Sequence, residues 1–349
     1  MRVRLSLLSM LLVSGAWAVD LQAAVALPWL YEVSIPVDSQ SRQARASASS
    51  KALLIALTRL TGLAHVPRTP EVAAALQSPE SYYNEFRFVA GQTEEALELV
   101  IQFDSVPLLE LIKAADLPIW RSSRQQVIAW VAVADGTTRT LLAATGESII
   151  VDAMSKQAKI RGIPLLLPLL DLEDQLQVTP AAVWGRLSQV LEPASQRYGA
   201  QVVLVGRAEL DASGQWLSDW EFWIEGRVVP WHGGEGDLLD QAVAVVDVLA
   251  DELAARSAVL GREARQLQVS IDGVQTPADY GELLQYLQSL EFVDAVDVAQ
   301  LQGTRLSLLV STRAAPAQLL SLLEADQRLF NNQLAIAEQA DLRLVWRRR

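Results

Sequence analysis

Val127-Ile128-Ala129-Trp130-Val131-Ala132-Val133-Ala134 is an unbroken apolar run. Successive side chains of an extended strand point to opposite faces, so a strand of this kind leaves neither face in water. The chain must cover it on both sides, which restricts the region to a sheet packed between helices. The flanking sequence supplies that cover. Ser148 to Arg161 reads as a helix and Ile163 to Leu170 as a second apolar strand, which Pro164 and Pro168 make irregular or place near an edge. Thr179-Pro180 opens a helix running to Tyr198, with proline in its first turn, and Val202 to Val205 is a third buried strand. Trp216 to Val229 reads as a tryptophan-rich hairpin or meander. Leu238 to Val259 reads as a long helix, apolar at Leu239, Ala242, Val246, Leu249 and Leu253. Residues 121–261 are therefore predicted to form a partly parallel α/β sheet unit.

Residues 27–120 read as an N-terminal α+β unit. Trp29 to Val37 alternates as a strand, and Asp38 and Ser39 can cap a helix that ends near Gly62. A short helix follows around Glu71 to Leu76. Phe86 to Val89 and Leu97 to Phe103 pair across the Gly91-Gln92 turn, and Ser105 to Ala115 is a second amphipathic helix. Residues 266–349 alternate at Leu267, Val269 and Ile271, take helical spacing at Leu283, Leu284, Leu287 and Leu290, and alternate at Val296 and Val298 and again at Leu306, Leu308 and Val310. A helix through Leu319, Leu320, Leu322 and Leu323 and a strand through Leu342, Leu344 and Trp346 complete a ferredoxin-like βαββαβ order. The fold class expected for the chain is α/β and α+β in three units.

Arg2 and Arg4 precede an apolar stretch from Leu5 to Val13, which closes with Ala16-Trp17-Ala18 or Ala24-Val25-Ala26. This is the pattern of a secretory signal peptide over residues 1–26, read as removed after Ala26, so the protein is expected in the periplasm. An exported chain with no cysteine has no disulfides and no lipid-modified cysteine, and its stability rests on packing. The net charge of −12 argues against nucleic acid and against an anionic membrane surface as partners. Arg347 to Arg349 read as a solubilising tail. No later apolar run is long enough to predict a membrane span.

Few residues suggest chemistry. His65 and His232 are the two histidines, and no nucleophile elbow or phosphate loop is present. Gly233-Gly234-Glu235-Gly236 follows no buried strand and reads as a flexible turn. No cofactor, metal site or enzymatic activity is expected. Asp171, with Glu173 and Asp174, follows the second apolar strand. Ligands of open α/β sheets bind beyond the carboxyl ends of strands, so Asp135, Asp171 and Arg207 form a candidate cleft. The plainer reading of Asp171 is a helix cap. Trp216 and Trp220 share one face of their strand and Trp223 takes the other. Any of the three left exposed is a candidate interaction anchor, against the alternative that all are core.

Ile101-Gln102-Phe103-Asp104, Leu117-Pro118-Ile119-Trp120, Arg161-Gly162-Ile163-Pro164 through Asp171, Arg197-Tyr198-Gly199 through Gly206-Arg207, and the pair Trp216 and Trp220 stand in an order that resembles domain-of-unknown-function family number 2066. Arg121 departs from that pattern, which has glycine after the tryptophan. The resemblance implies an exported proteobacterial protein of unassigned function and supplies no catalytic residues. The middle unit also resembles, in fold alone, the α/β domains of periplasmic envelope-assembly factors. The function expected is that of a non-enzymatic interaction or envelope assembly-support protein with a protein partner. The alternative is a small-molecule binder or enzyme using the cleft at the carboxyl ends of the middle strands.

Overall fold

The computed structural model describes residues 25–91, 96–136, 138–261, 263–332 and 340–347. The predicted leader lies outside the described residues apart from Val25 and Ala26. Gln92 of the expected hairpin turn and Arg348 and Arg349 also lie outside them.

Val25–Ala26 is strand β1. Pro28 opens a single 3-10 turn, Pro28–Tyr31, so the strand expected from Trp29 begins at Glu32 as β2, Glu32–Val37. Helix α1, Arg42–Thr61, is capped by Ser41, whose hydroxyl accepts from the Ala44 amide at 3.1 Å, and not by Asp38 or Ser39. It ends at Gly62, whose φ of 75° suits glycine. Helix α2, Pro70–Gln77, leads to β3, Tyr83–Ala90, and β4, Leu97–Phe103. Asp104 caps α3, Ser105–Ala114. The three strands form an antiparallel sheet in the order β2-β4-β3. Val33, Leu99 and Ile101 pack there against Leu53, Leu57, Leu108 and Ile112 of the helices.

Two short strands, β5 (Ile119–Trp120) and β6 (Ser123–Arg124), lead into the apolar run, which is β7, Val127–Asp135. Next come β8 (Thr138–Leu141), α4 (Ile149–Arg161) and β9 (Leu165–Leu166). The eight-residue strand expected at Ile163 to Leu170 is reduced to two residues, because Pro164 and Pro168 bring no amide donors to a ladder. Helices α5 (Leu172–Gln177), α6 (Pro180–Trp184) and α7 (Ser188–Gln196) follow. The single helix expected from Thr179 to Tyr198 is broken at Gly185 and Arg186, where Arg186 takes φ 52°.

The unit closes with β10 (Val202–Leu210), β11 (Trp216–Ile224), β12 (Arg227–Gly236), α8 (Leu238–Ser257) and β13 (Ala258–Val259). The sheet order is β12-β11-β10-β7-β8, with β9 also on β7; β7 is parallel to β10 and β9, and the other pairs are antiparallel. Val127, Ala129 and Val131 face α4 and α8, while Ile128, Trp130 and Ala132 face α6 and α7. The two-sided burial read from the apolar run is thus realised.

The last unit comprises β14 (Arg265–Asp272), α9 (Pro277–Gln288), β15 (Val293–Gln302), β16 (Arg305–Thr312), α10 (Pro316–Ala325), β17 (Leu329–Asn331) and β18 (Leu342–Trp346). Its sheet order is β15-β16-β14-β18-β17. The ferredoxin-like order of elements holds, but β18 lies parallel to β14, and the antiparallel return after α10 is the three-residue β17. Leu342, Leu344 and Trp346 bring three buried side chains to the inner position, whereas β17 brings Leu329.

Arginines join the units. Arg59 of α1 donates to the carbonyls of Lys159, Trp29 and Glu32 at 2.7, 3.0 and 2.7 Å. Arg124 donates to the carbonyls of Gly162 and Arg59 at 2.9 and 2.7 Å and stacks 3.5 Å from the Trp120 ring. Burial pushes Arg124 down to about 9 and Arg59 to about 10. Both remain cations at neutral pH; Arg124 is satisfied by carbonyls at the carboxyl ends of α1 and α4, where a helix favours positive charge, and Arg59 by the Lys159 carbonyl of α4 together with those of Trp29 and Glu32. Arg161 reaches the Gly62 carbonyl at 3.0 Å and Asp247 at 2.8 Å. Strands β5 and β13 pair antiparallel, tying the end of α8 back to the first unit.

Candidate functional site

Two surfaces stand out, one built by a strand edge and one by side chains around Arg207. The edge is β3. It pairs with β4 on one side, and after an irregularity between Tyr83 and Glu85 its register is regular through Ala90. Phe86 and Phe88 lie on the same side of the strand with ring centroids 6.1 Å apart. Arg45 covers Phe86 at 4.5 Å, yet Phe86 remains 38% exposed. Each other long edge carries a feature that discourages strand addition. Pro36 interrupts β2. Pro230 interrupts β12, which also has a register shift opposite Ser218 and Asp219. β15 has two register shifts and carries Asp294 and Asp297.

The second surface is an open cleft of about 470 Å³ lined by Trp184, Arg207, Glu209, Leu217, Asp219 and His232, with Ser218, Gly234 and Glu235 completing it. The β11–β12 hairpin turns at Glu225-Gly226, where φ is 50° and 72°. That turn sets Asp219 opposite His232 in register. Asp219 lies 2.6 Å from His232 Nδ1 and accepts from Arg207 Nε and Nη2 at 3.2 and 2.9 Å. Burial pushes the Asp219 carboxyl up, but the hydrogen bonds from His232 and Arg207 outweigh it and hold the group below the ordinary carboxylate range. An ionised carboxylate accepts and does not donate, so Nδ1 of His232 is the donor of this pair and Nε2 takes no part in it. Arg207 also lies 5.8 Å from the Trp184 ring, whose nearer cation is Arg139 at 4.3 Å.

The expected cleft of Asp135, Asp171 and Arg207 is not assembled. Arg207 is opposite Ala132 and shares its face of the sheet, whereas Asp135 falls on the other face, exposed at the end of β7. Asp171 caps α5, accepting from the Asp174 amide at 3.1 Å, and is ion-paired to Arg197. Arg197 and Tyr198 lie at the end of α7, in the short segment leading into the amino end of β10, and hold Asp171 there, while Arg207 lies towards the carboxyl end of that strand. Asp174 is the buried member of the acidic group: it accepts from Tyr198 Oη and from the Leu170 amide and pairs with Arg197 at 2.7 Å.

The tryptophan anchors are also corrected. Trp220 and Trp223 point to opposite faces as expected, but both are core residues, 1% and 8% exposed, with their indole N–H groups bonded to Ser218 and Glu221. Trp216 is half-buried. His65 is exposed in the loop after Gly62. Gly233 to Gly236 belong to β12 and are not a free turn. Among the described residues, no group of three or more His, Cys, Asp and Glu is placed to hold a metal ion, and no helix is long and apolar enough to cross a membrane. Sequence reasoning missed the His232–Asp219 pair. Its signal was the two-residue turn at Glu225-Gly226, from which the two positions are equidistant.

A family model described as a domain of unknown function, DUF8605, matches residues 24–121. This is a different family from number 2066, so the resemblance drawn from the ordered motifs is overturned. The motifs mark element junctions that recur in unrelated folds: Asp104 caps α3, Gly162 closes α4 and Asp171 caps α5. No curated protein matches the chain.

Proposed function

We propose that this protein is exported and works in the cell envelope as a non-enzymatic interaction or assembly-support protein, adding an extended segment of a partner protein to the free edge of β3. The observation that carries the reading is the contrast among edges. β2 and β12 each bear a proline and β12 and β15 each bear a register shift within the strand, whereas β3 keeps a regular register from Glu85 to Ala90, with Phe86 and Phe88 on one side and Arg87, paired to Glu32, on the other. Backbone pairing supplies affinity in such recognition, and the exposed Phe86 beside Phe88 supplies a side-chain contact. The unit carrying β3 is the part that the family model matches. The arginine-fastened units hold that edge on a fixed body, which spares a partner the cost of ordering it.

The test places proline singly at Phe88 and at Val89, because neighbouring amides of a strand point alternately to its partner and to its free side. The variant that removes a free-side amide should fold normally and lose a partner captured from envelope extract by the parent protein. If both variants that fold retain every captured partner, the edge reading fails.

A further inference from the structure

The cleft at Arg207 has a charge layout independent of the β3 edge. On one side stand Arg207 and His232, both fastened to Asp219. On the other stand Glu209, two residues along β10 from Arg207 and so on the same face, and Glu235 of β12. Leu217 and Trp184 form an apolar wall. Arg207 binds Asp219 through Nε and Nη2; its Nη1 has no partner among the described residues. His232 spends Nδ1 on Asp219 and keeps Nε2 towards solvent, with its side chain 77% exposed. A simple anion placed here would face Glu209 and Glu235 at close range. A simple cation would face Arg207, with Arg139 beside Trp184 and Arg186 bonded to Glu221 behind it. Neither satisfies the whole site.

We propose that this cleft binds a small zwitterion, a free α-amino acid or a short peptide, with its carboxylate on Arg207 Nη1 and His232, its ammonium between Glu209 and Glu235, and its side chain along Leu217 and Trp184. The cleft, about 470 Å³, falls within the size range of small-molecule sites, and it lies towards the carboxyl end of β10, where parallel strands of open α/β sheets present ligands.

The histidines make the experiment clean, because His65→Gln leaves His232 as the one imidazole in the full chain. L-leucine, N-acetyl-L-leucine and L-leucinamide are titrated while the His232 ring resonances are followed by NMR. L-leucine should shift them saturably, and each blocked analogue should bind at least about tenfold more weakly. Arg207→Gln should abolish the response. Glu235→Gln, on an exposed side chain, should weaken L-leucine and leave N-acetyl-L-leucine unchanged, which keeps the test decisive if the Arg207 variant misfolds. No saturable shift, equal responses to all three compounds, or an unaltered L-leucine response in folded Glu235→Gln would overturn the proposal. None of these results bears on the β3 edge.

Discussion

Arg121 Nη2 donates to Asp326 Oδ1 at 2.6 Å, across 205 positions of sequence, with both side chains buried. Arg121 Nη1 donates to the Leu322 carbonyl at 2.7 Å, and Tyr286 Oη donates to the other Asp326 oxygen at 2.7 Å. Arg121, where the resembled pattern has glycine, therefore helps to dock the third unit on the second, beside the bonds from the Ser122 amide to Glu291 and from Gln318 to the Ala258 carbonyl. Arg121→Ala should cost about 3–5 kcal/mol, because it removes the guanidinium from a buried ion pair. Arg121→Met with Asp326→Leu should recover most of that loss, since removing both partners leaves no orphaned charge. Urea denaturation of the three proteins checks both statements; a double variant as weak as the single would contradict them.

Trp220 fills the core over Gly206, and Phe222 and Leu204 bury with it. Trp220→Ala should destabilise the fold by about 3–5 kcal/mol, as large-to-small core changes do. Trp216→Ala should cost clearly less, because that side chain is half-buried. Thermal melts rank the two. A Trp220 variant that keeps parental stability and loses a partner would restore the anchor role that burial removes.

Hydrogen bonds from Arg197 and from the Asp174 amide hold the Asp171 carboxyl below its ordinary value of 3.8. A carboxyl with a lower pKa in the folded state stabilises the fold fully above its unfolded value and loses that contribution as pH falls through the folded one. The stabilising effect of Asp171 should therefore be complete at neutral pH and disappear below 3.8. Asp171→Asn should lower the melting temperature at neutral pH, converge with the parent in acid, and leave partner capture intact. A constant difference between the two melting curves across pH would refute this.

Strand β1, Val25–Ala26, pairs with β6, and the Leu27 amide donates to the Ser122 carbonyl at 3.3 Å. Cleavage after Ala26 would discard β1, whereas cleavage after Ala18 would keep it. The small-residue pattern of the leader puts the cut after Ala26; the pairing of Val25 and Ala26 with β6 instead favours the alternative, Ala18, and a mature chain beginning at Val19. Intact-mass measurement of the periplasmic form separates the two sites, and finding Met1 on a cytoplasmic protein would remove the export argument.

The position and type of the main elements were legible because that information is local, although the strand read at Ile163 to Leu170 and the helix read from Thr179 to Tyr198 were cut short by prolines and by a break at Gly185 and Arg186. Continuous apolar runs located β7 and β10, helical spacing of apolar residues located α8, and Gly62 and Thr179-Pro180 marked boundaries through backbone conformations that those residues favour. The two-sided burial of Val127 to Ala134 followed from composition alone. What the sequence could not decide were relations between residues far apart. Opposite faces were assigned correctly to Trp220 and Trp223, but both faces turned out to be covered, because α6 and α8 pack on the two sides of one sheet. Arg207 was placed at the right end of the sheet with the wrong companions. Asp171 is drawn away by Arg197, and Asp219 and His232 are delivered by a hairpin register. Among the described residues no strand but β4 pairs with β3, which leaves its other edge open, and the burial of Arg121 depends on α10 arriving over it. Local propensity sets which segments become helices and strands; burial, charge pairing and edge protection are properties of what the rest of the chain brings alongside.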